Sequence, residues 1–342
     1  MEGHNLPEKL FFVLPNDKQA PSGGNIYNAR LIKALRQIGQ PVTELSYTEY
    51  QSALSSNEPG IYGVDSLFVE KLKSLSTLKG RSQHNFFILH HLESLHPSAG
   101  NVAEELFREE KKVLERFDSI LVSSGFASDY LRQQGMTMPI MTVEPALDRI
   151  IWHPPLPTPA PLRAIMVANL VERKGVYDFL KNLLEQGSPR DAFELTIVGR
   201  TDIEPLYAKS CQHLVQGSFL RHHVTFKGPL THQQTLAEYG KHHLLVSAAA
   251  METFGMAIQE ARAAGLPVLV REGGYSAQHV QEGSGKLCRN TVELAENFLH
   301  FCRNEHALKA FSAAALRARA EYAAYTWEQA ATLFIQEFRH FL

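Results

Sequence analysis

The sequence predicts an α/β protein of two domains, each built on a parallel sheet that helices cover on both faces. The chain has 342 residues, a length that suits two domains of about 150 residues each. Short apolar runs alternate with longer amphipathic stretches, as in successive strand–helix–strand units. The proline-rich residues 153–161 separate two such series. Because proline continues neither a helix nor a central strand, this segment predicts a stiff linker.

The elements of the first half follow from hydrophobic periodicity. Three short apolar runs predict buried strands: residues 10–14, 86–89 and 119–123. Apolar residues recur at helical spacing from Tyr27 to Ile38, and Gly39 stands where a helix C-cap is expected. The charged residues 101–116 predict a further helix. The first domain is therefore expected at residues 1–152.

The second half repeats the pattern over residues 162–326. Five apolar runs predict strands: residues 164–168, 194–198, 223–226, 244–247 and 267–270. A helix is expected after Gly175, and another over residues 256–264, which ends at the stop signal Gly265-Leu266-Pro267. The chain closes with an amphipathic helix that carries Phe334 and Phe338 on one side. Two such halves form a cleft, and open parallel sheets bind ligands at the carboxyl ends of their strands.

Composition narrows the classes of function. The formal net charge is −2 and the pI is about 6.8, so no basic excess favours a nucleic-acid partner. Three cysteines without CxxC spacing argue against a disulfide framework or a thiolate zinc site and favour a reducing cytoplasm. No signal peptide is expected, and no apolar run approaches the roughly 18 residues of a membrane span. Residues 67–78 are amphipathic with lysines, which leaves a peripheral contact with the inner membrane face as an alternative to a plain surface helix.

Residues 252–260, ETFGMAIQE, are the segment richest in potential chemistry. Glu252 and Glu260 lie eight residues apart around a glycine-containing turn into a helix. Backbone N–H groups near Phe254 and Gly255 would face an anion at the helix start. A carboxylate on the helix can accept two hydrogen bonds from a sugar or ribose diol. Taken alone, two glutamates at this spacing are more often solvated helix charges.

Three segments in the second half form a more specific combination: VANLVERKGV at 167–176, VTFKGPL at 224–230 followed by LAEYGKHHLLVS, and ETFGMAIQEARAAGLPVLV from Glu252. With the Gly273-Gly274 loop that follows, they make residues 163–290 resemble the donor domain of retaining glycosyltransferases of family 4. These proteins have the GT-B fold, two Rossmann-like domains facing across a cleft. The first half is similar more weakly, through its glycine-rich Ser22–Asn25 loop and the segment Pro145–Asp148. Trp327-Glu328 resembles the start of the family's closing helix, which packs back on the first domain.

The resemblance implies roles for individual residues. Lys174 would pair with the donor phosphates as a point charge, Glu260 would hold the ribose hydroxyls, and Glu252 would contact the transferred sugar. Backbone amides would contact the sugar and phosphates at three successive donor-binding positions: Phe254, Gly255 and Met256. Two glycines of the first half would let the backbone approach the diphosphate: Gly23 and Gly24.

One departure from the family concerns phosphate binding. The family has Gly-Arg where this chain has Ala168-Asn169, so the arginine of an Arg/Lys pair is missing and Asn169 occupies its donor-binding position. Arg173, adjacent to Lys174, is the candidate substitute. The family's Pro-Ser before the first glutamate is also replaced, by alanines at residues 248–250.

Histidines after the strand at 86–89 are candidates for the acceptor side. His90 and His91 stand where family members have a histidine that touches the sugar or acceptor, and His90 is the preferred catalytic candidate. Glu93 and His96, on the same loop, are candidates for acceptor contact. A histidine packed against a backbone carbonyl is the alternative for each. No Asp-x-Asp triplet or carboxylate–histidine ligand spacing accompanies the two histidine pairs of the second half, His222-His223 and His242-His243, so no metal is expected.

The resemblance implies a metal-independent hexosyltransferase with catalytic residues His90, Lys174 and Glu252. It would use a UDP- or GDP-linked sugar as co-substrate, an unidentified hydroxyl acceptor and no further cofactor. Two alternatives stay open: a sugar-nucleotide epimerase or phosphorylase of the same fold, and a non-catalytic sugar-nucleotide-binding protein. The Gly283-Ser-Gly-Lys286 segment lacks the other residues of a P-loop, and no G-x-G-x-x-G or G-x-S-x-G motif is present. The sequence does not indicate an oligomeric state.

Overall fold

The computed structural model describes residues 6, 8–15, 22–75, 82–148, 161–281, 283–322 and 325–341. They divide into two compact units. The first contains Gly24–Ala146 and the closing segment Tyr325–Leu342, and the second contains Leu147–Ala324. Of the predicted linker, only Pro161 lies within the described residues.

A six-stranded, all-parallel sheet forms the centre of the first unit. Its strands are β1 (Leu10–Val13), β2 (Val42–Leu45), β3 (Gly60–Asp65), β4 (Gln83–Leu89), β5 (Ser119–Val122) and β6 (Ile140–Thr142), in the order β2-β1-β3-β4-β5-β6. The order reverses between β1 and β3, and such switch points are where open α/β sheets bind ligands. The periodicity predicted β1, β4 and β5. It missed β2, which is half polar, β3, which contains two glycines, and β6, which has three residues.

In the part of the chain that the structure describes, the helices around this sheet are α1 (Gly23–Gln37), α2 (Tyr47–Ser56), α3 (Val69–Lys73), α4 (Ala103–Leu114) and α5 (Gly125–Gln133). Helix α1 buries Tyr27, Leu31 and Leu35, as the periodicity predicts, and Gly39 after it has a φ of 92°. In the amphipathic stretch at 67–78, Phe68 and Leu72 are buried in the unit, and residues 76–78 lie outside the described part.

The second unit also contains a six-stranded, all-parallel sheet. Its strands are β7 (Leu162–Val167), β8 (Phe193–Val198), β9 (Val224–Gly228), β10 (Leu244–Ser247), β11 (Val268–Arg271) and β12 (Gly285–Cys288), in the order β12-β11-β10-β7-β8-β9. Numbered within the unit, this is the Rossmann order 3-2-1-4-5-6 read from the other edge. The switch point therefore lies between β7 and β10. The predicted class of two Rossmann-like α/β domains is confirmed.

Helices lie on both faces of this second sheet: α6 (Val176–Gln186), α7 (Pro205–Gln216), α8 (His232–Tyr239), α9 (Met256–Ala263), α10 (Thr291–Arg303) and α11 (Glu305–Tyr322). On one face, Phe179 of α6 and Phe298 of α10 pack over Leu195. On the other, Ile258 of α9 packs with Ile165 and Leu245. The alternation of Leu244 and Leu245 between the two cores explains why β10 is apolar without interruption.

The last helix, α12 (Trp327–Arg339), belongs to the first unit. The ring centroid of Phe334 lies 5.7 Å from that of Phe86 and 6.3 Å from that of Phe12, so this helix packs on the first sheet. Within the described part of the chain, no helix has the length and apolar character needed to cross a membrane.

Replacing Phe334 with alanine should destabilise the first unit by about 3–5 kcal/mol, because the change leaves a cavity where a fully buried ring packs on two strands. Gln336→Ala, on the exposed side of the same helix, is the matched control. Urea unfolding followed by tryptophan fluorescence measures both variants. Equal midpoints for F334A and Q336A would contradict the packing of α12 on this sheet.

Candidate functional site

The loops that follow β7 and β10 meet at the switch point of the second sheet. The Ala250 N–H donates to the Arg173 carbonyl at 3.1 Å. Gly175 has a φ of 63°, and a Cβ at this position would lie 2.3 Å from the Ala248 carbonyl oxygen. A larger residue would be strained and would push the loops apart. Glycine at 175 therefore permits the close approach of the loop that carries Lys174 to the loop that leads to Glu252.

The Gly273-Gly274 loop after β11 holds the backbone of Glu252. The Glu252 N–H donates to the Gly273 carbonyl at 3.3 Å, and the Tyr275 N–H donates to the Glu252 carbonyl at 2.8 Å. A Cβ on Gly273 would lie 2.0 Å from the Ala250 carbonyl oxygen. Backbone contacts from three strand ends therefore position this glutamate.

Lys174 and Glu252 form an ion pair at this point. The Lys174 Nζ lies 2.5 Å from the Glu252 Oε1, and their side chains are only 16% and 17% exposed. Burial lowers the pKa of Lys174, and the nearby charge of Arg173 acts in the same direction, whereas Glu252 opposes them. Arg173 is therefore close enough for its charge to act on the Lys174 ammonium. An anion that entered here would be stabilised by the Lys174 ammonium.

Helix α9 begins beside this pair. Gly255 precedes it with a φ of 94°, and the first N–H groups of the helix, from Met256 on, have no carbonyl within the helix to donate to. The Phe254 ring stacks on Tyr275 with centroids 5.2 Å apart. The Phe254 carbonyl accepts a 2.7 Å hydrogen bond from the His279 Nε2, and burial lowers the pKa of His279 to about 4, so the ring is neutral. Tyr275 and His279 thus hold the turn that leads into the helix. The N–H groups at this helix start are suited to an anion.

Glu260 lies one turn into α9 and is buried. Its Oε2 accepts from the Tyr239 hydroxyl at 2.9 Å, and its Oε1 lies 2.7 Å from the His232 Nε2. The other ring nitrogen, His232 Nδ1, lies 3.2 Å from the Asp148 Oδ2. Burial would lower the pKa of His232, but its hydrogen bonds to Asp148 and Glu260 outweigh this and raise it to about 9. Sequence reasoning missed His232, which stands alone at the start of α8 and belongs to no motif by spacing.

Asn169, which replaces the family's arginine, connects two strand ends. Its Oδ1 accepts from the Arg200 N–H at 3.0 Å, and the Leu170 N–H donates to the Arg200 carbonyl at 2.8 Å. The Arg200 guanidinium makes two hydrogen bonds to Asp202, at 2.9 and 2.7 Å. The structure therefore places Asn169 just after the carboxyl end of β7, where its amide oxygen accepts from the backbone of the loop that follows β8.

His90 occupies the switch region of the first unit. Its Nε2 lies 3.0 Å from the Asn28 Oδ1, while the Asn28 Nδ2 donates to the Asp65 Oδ2 at 2.6 Å. Because the amide nitrogen of Asn28 donates to Asp65, the amide oxygen is the atom that faces the histidine, and an amide oxygen only accepts. Nε2 therefore carries the proton and Nδ1 is the acceptor of the ring. Burial lowers the pKa of His90, although Asp65 opposes this, which favours the neutral ring.

Gly24 lies against the same histidine. A Cβ on Gly24 would come within 2.8 Å of the His90 ring, so glycine lets the start of α1 pack on it. Gly23 is the first residue of that helix. The sequence predicted that these two glycines approach a diphosphate. It did not predict that Asn28 and Asp65 are the polar partners of His90. The only signal for Asp65 was its position at the carboxyl end of a strand that periodicity had missed.

The loop after β4 is anchored by Glu110 of α4. The Glu93 N–H donates to the Glu110 Oε1 at 2.7 Å, and the Ser94 hydroxyl donates to the other carboxylate oxygen. The Tyr130 hydroxyl donates to the Ser94 Oγ at 2.8 Å, and burial raises the pKa of Glu110. The Glu93 side chain remains exposed and His91 is half-buried. The predicted residues thus fall into two groups: His90, His91 and Glu93 lie in the first unit, and the Lys174–Glu260 set lies in the second.

Among the described residues, no group of three or more histidine, cysteine, aspartate or glutamate side chains is arranged to hold a metal ion. The paired histidines of the second unit contact neighbouring strands. His243 Nδ1 accepts from the Arg163 N–H at 3.0 Å, and His223 Nδ1 lies 2.9 Å from the Phe193 carbonyl oxygen. These contacts are structural.

Comparison with known proteins matches residues 150–324 to the family described as Glycosyl transferases group 1. No curated protein matches the chain. Among solved structures, the chain is similar to sucrose-phosphate synthase from Thermosynechococcus elongatus, with 17% identity and a TM-score of 0.74 over 97% of this chain and 98% of that one. It is also similar to Anabaena HepE, solved in complex with UDP and glucose, with 16% identity and a TM-score of 0.76 over 97% and 99% of the two chains. These likenesses confirm the GT-B fold class.

Gly273→Ala should lower the thermal stability of the second unit, because the new Cβ would lie 2.0 Å from the Ala250 carbonyl oxygen and neither backbone segment can move alone. Gly125→Ala is the control, since a Cβ there meets no atom within 4 Å. Differential scanning calorimetry of both variants checks the expectation. A G273A melting temperature equal to that of G125A would show that the loop around Glu252 is not closely packed.

Proposed function

Because the chain belongs to the group 1 glycosyl transferases, it is a glycosyltransferase, and we propose that it is a retaining hexosyltransferase of family 4. In this proposal, it moves a hexosyl group from a nucleotide-diphosphate sugar to a hydroxyl acceptor. The observation that carries the proposal is the convergence of the Lys174–Glu252 pair on the start of α9. A lysine ammonium and a helix N-terminus together suit a diphosphate.

The leaving diphosphate is the group that this site would stabilise most. Lys174 supplies a partly desolvated ammonium, and Arg173, whose charge acts on Lys174, supplies the second cation in place of the arginine missing at Asn169. The amides of Phe254, Gly255 and Met256 complete the cradle. Since these groups supply positive charge and hydrogen-bond donors, we propose a transfer that needs neither a metal nor a further cofactor.

Glu252 has a second role in this proposal. In the structure it neutralises Lys174 at 2.5 Å. When the diphosphate becomes the partner of Lys174, the carboxylate is released to accept hydrogen bonds from hydroxyls of the transferred sugar. His90, with Nδ1 as its acceptor atom, is assigned to a hydroxyl of the sugar or acceptor, and His91 and Glu93 to the acceptor. Glu260 is assigned to the ribose hydroxyls.

The chemical step balances without a dedicated protein base. The bond between the anomeric carbon and the diphosphate oxygen breaks, and the acceptor oxygen forms its bond to the same face of that carbon. The acceptor's proton passes to an oxygen of the departing diphosphate. The protein contributes positioning and stabilisation of the developing negative charge.

The likeness to HepE, which was solved with UDP-glucose as well as with UDP and glucose, supports a UDP-linked donor, with a GDP-linked donor as the alternative. A thermal-shift panel of UDP, GDP and ADP sugars tests this, because a ligand that binds only the folded state raises its melting temperature. Product analysis with the donor alone separates transfer from epimerisation: an epimerase converts the sugar nucleotide without an acceptor. No shift with any sugar nucleotide would overturn the proposed donor class.

Lys174→Ala should lower the rate of donor turnover by about 10²–10³-fold, the range seen when one electrostatic stabiliser of a transition state is removed. Lys181→Ala is the matched control, because Lys181 lies on the exposed side of the adjacent helix, where it forms an exposed ion pair with Glu185. Nucleotide release from the donor gives the rate, and circular dichroism checks the fold of both variants. Near-normal turnover of a folded K174A enzyme would exclude the phosphate role.

A further inference from the structure

The carboxylate of Glu260 is held by both ends of helix α8. His232 is the first residue of this helix and Tyr239 is the last, seven residues later, so both side chains lie on one helix face. Tyr239 donates to one carboxylate oxygen at 2.9 Å, and the His232 Nε2 lies 2.7 Å from the other. The side chains of His232 and Glu260 are only 13% and 7% exposed. This glutamate therefore has little freedom to rotate.

The contacts of His232 require a charged ring. Its Nδ1 lies 3.2 Å from the Asp148 Oδ2 while its Nε2 faces Glu260, and the Asp148 side chain is 21% exposed. Ionised carboxylates only accept hydrogen bonds, and a neutral imidazole has only one N–H to donate. Both nitrogens can donate only when the ring is protonated. Three partly or fully buried groups thus form a carboxylate–imidazolium–carboxylate chain from Asp148 through His232 to Glu260.

We propose that His232 is a positioning residue of the donor site: clamped by Asp148, its imidazolium orients the Glu260 carboxylate to receive the ribose hydroxyls of the donor. This inference rests on the proposed function, which assigns Glu260 to the ribose. A carboxylate offers about four acceptor positions, and Tyr239 and His232 occupy one on each oxygen. Each oxygen can still accept a bond from one hydroxyl of a diol, so His232 supports the ribose contact without replacing it.

The imidazolium also removes the cost of burying Glu260. An ionised carboxylate out of water is expensive unless it is paired and hydrogen-bonded. Without the charge of His232, Glu260 would be buried near the like charge of Asp148, with the Tyr239 hydroxyl still donating to one of its oxygens. The positioning role is therefore electrostatic as well as geometric.

The test measures how much more tightly each variant binds UDP than 2′-deoxyuridine diphosphate. GDP and its 2′-deoxy form are measured in parallel. Isothermal titration calorimetry compares the wild type, Glu260→Gln, His232→Gln and the control His213→Gln, an exposed histidine on α7. The wild type and H213Q should prefer the ribonucleotide by about tenfold or more, as expected for one hydrogen bond to a charged group. E260Q and H232Q should lose most of this preference while binding the deoxy nucleotide about as tightly as the wild type.

Each outcome separates the inference from the proposed function. If E260Q loses the preference and H232Q keeps it, His232 is not a positioning residue, although the proposed donor site stands. If E260Q keeps the preference, the ribose assignment of Glu260 fails and this inference fails with it. If the wild type binds neither nucleoside diphosphate, the proposed function itself is wrong. In steady-state assays, H232Q should raise the donor KM and leave kcat nearly unchanged, because the ribose contact is made equally in ground and transition states.

Asp148→Asn tests the clamp without changing His232 or Glu260, and covers the case in which H232Q does not fold. The imidazole faces Asp148 before the linker and Glu260 on α9, and the Glu260 carboxylate also accepts from the Tyr239 hydroxyl of α8. Both carboxylates raise the pKa of His232, to about 9, so the ribose preference should persist below that pH and fall as pH rises through it. In D148N one of these carboxylates is lost, and the fall should move to lower pH. An unchanged pH profile in a folded D148N protein would overturn the clamp.

Discussion

The donor site depends on one close approach, between the loops that leave β7 and β10 at the switch point of the second sheet. Parallel strands bring both loops to the same edge, but side chains would normally keep their backbones apart. Glycine at 175 removes that obstacle, since a Cβ there would lie 2.3 Å from the Ala248 carbonyl oxygen of the facing loop. Gly273, after β11, permits a similar approach to the loop after β10, because a Cβ there would lie 2.0 Å from the Ala250 carbonyl oxygen. The distance of 2.5 Å between Lys174 and Glu252 follows from this contact. Without it, the lysine and glutamate would be separate surface charges.

Charge is balanced locally around this edge. Glu252 is paired with Lys174, Glu260 with His232 and Tyr239, and Glu110 in the other unit accepts from the hydroxyl and N–H groups of its loop. Such pairs seldom add much stability, because desolvation offsets the attraction. Their effect is to fix the direction in which a charged group points. The pairs therefore contribute to pre-organisation for a polar ligand more than to folding.

The two units hold their functional side chains by different means. In the second unit, ion pairs and backbone contacts position Lys174, Glu252 and Glu260. In the first, a hydrogen-bonded chain from Asp65 through Asn28 decides which nitrogen of His90 carries the proton. Burial lowers the pKa of His90 and also that of Lys174. The consequences differ. Burial favours the uncharged form of His90, which can accept a hydrogen bond, whereas Lys174 is paired with Glu252 and can exchange that partner for an anion.

The sequence by itself determined the fold class, most strands of the second sheet, the closing helix and the segment that contains both glutamates. These features follow from local periodicity and from motifs of fixed spacing, which are visible without knowing what lies next to them. Only the tertiary structure brought His232 to Glu260, Asp148 to His232, and Asp65 through Asn28 to His90. The partners in these contacts come from different elements, as much as 84 residues apart in the case of Asp148 and His232. The physical reason is that a buried polar group is satisfied by whichever donor the strand order places beside it, and strand order is not a local property of the chain.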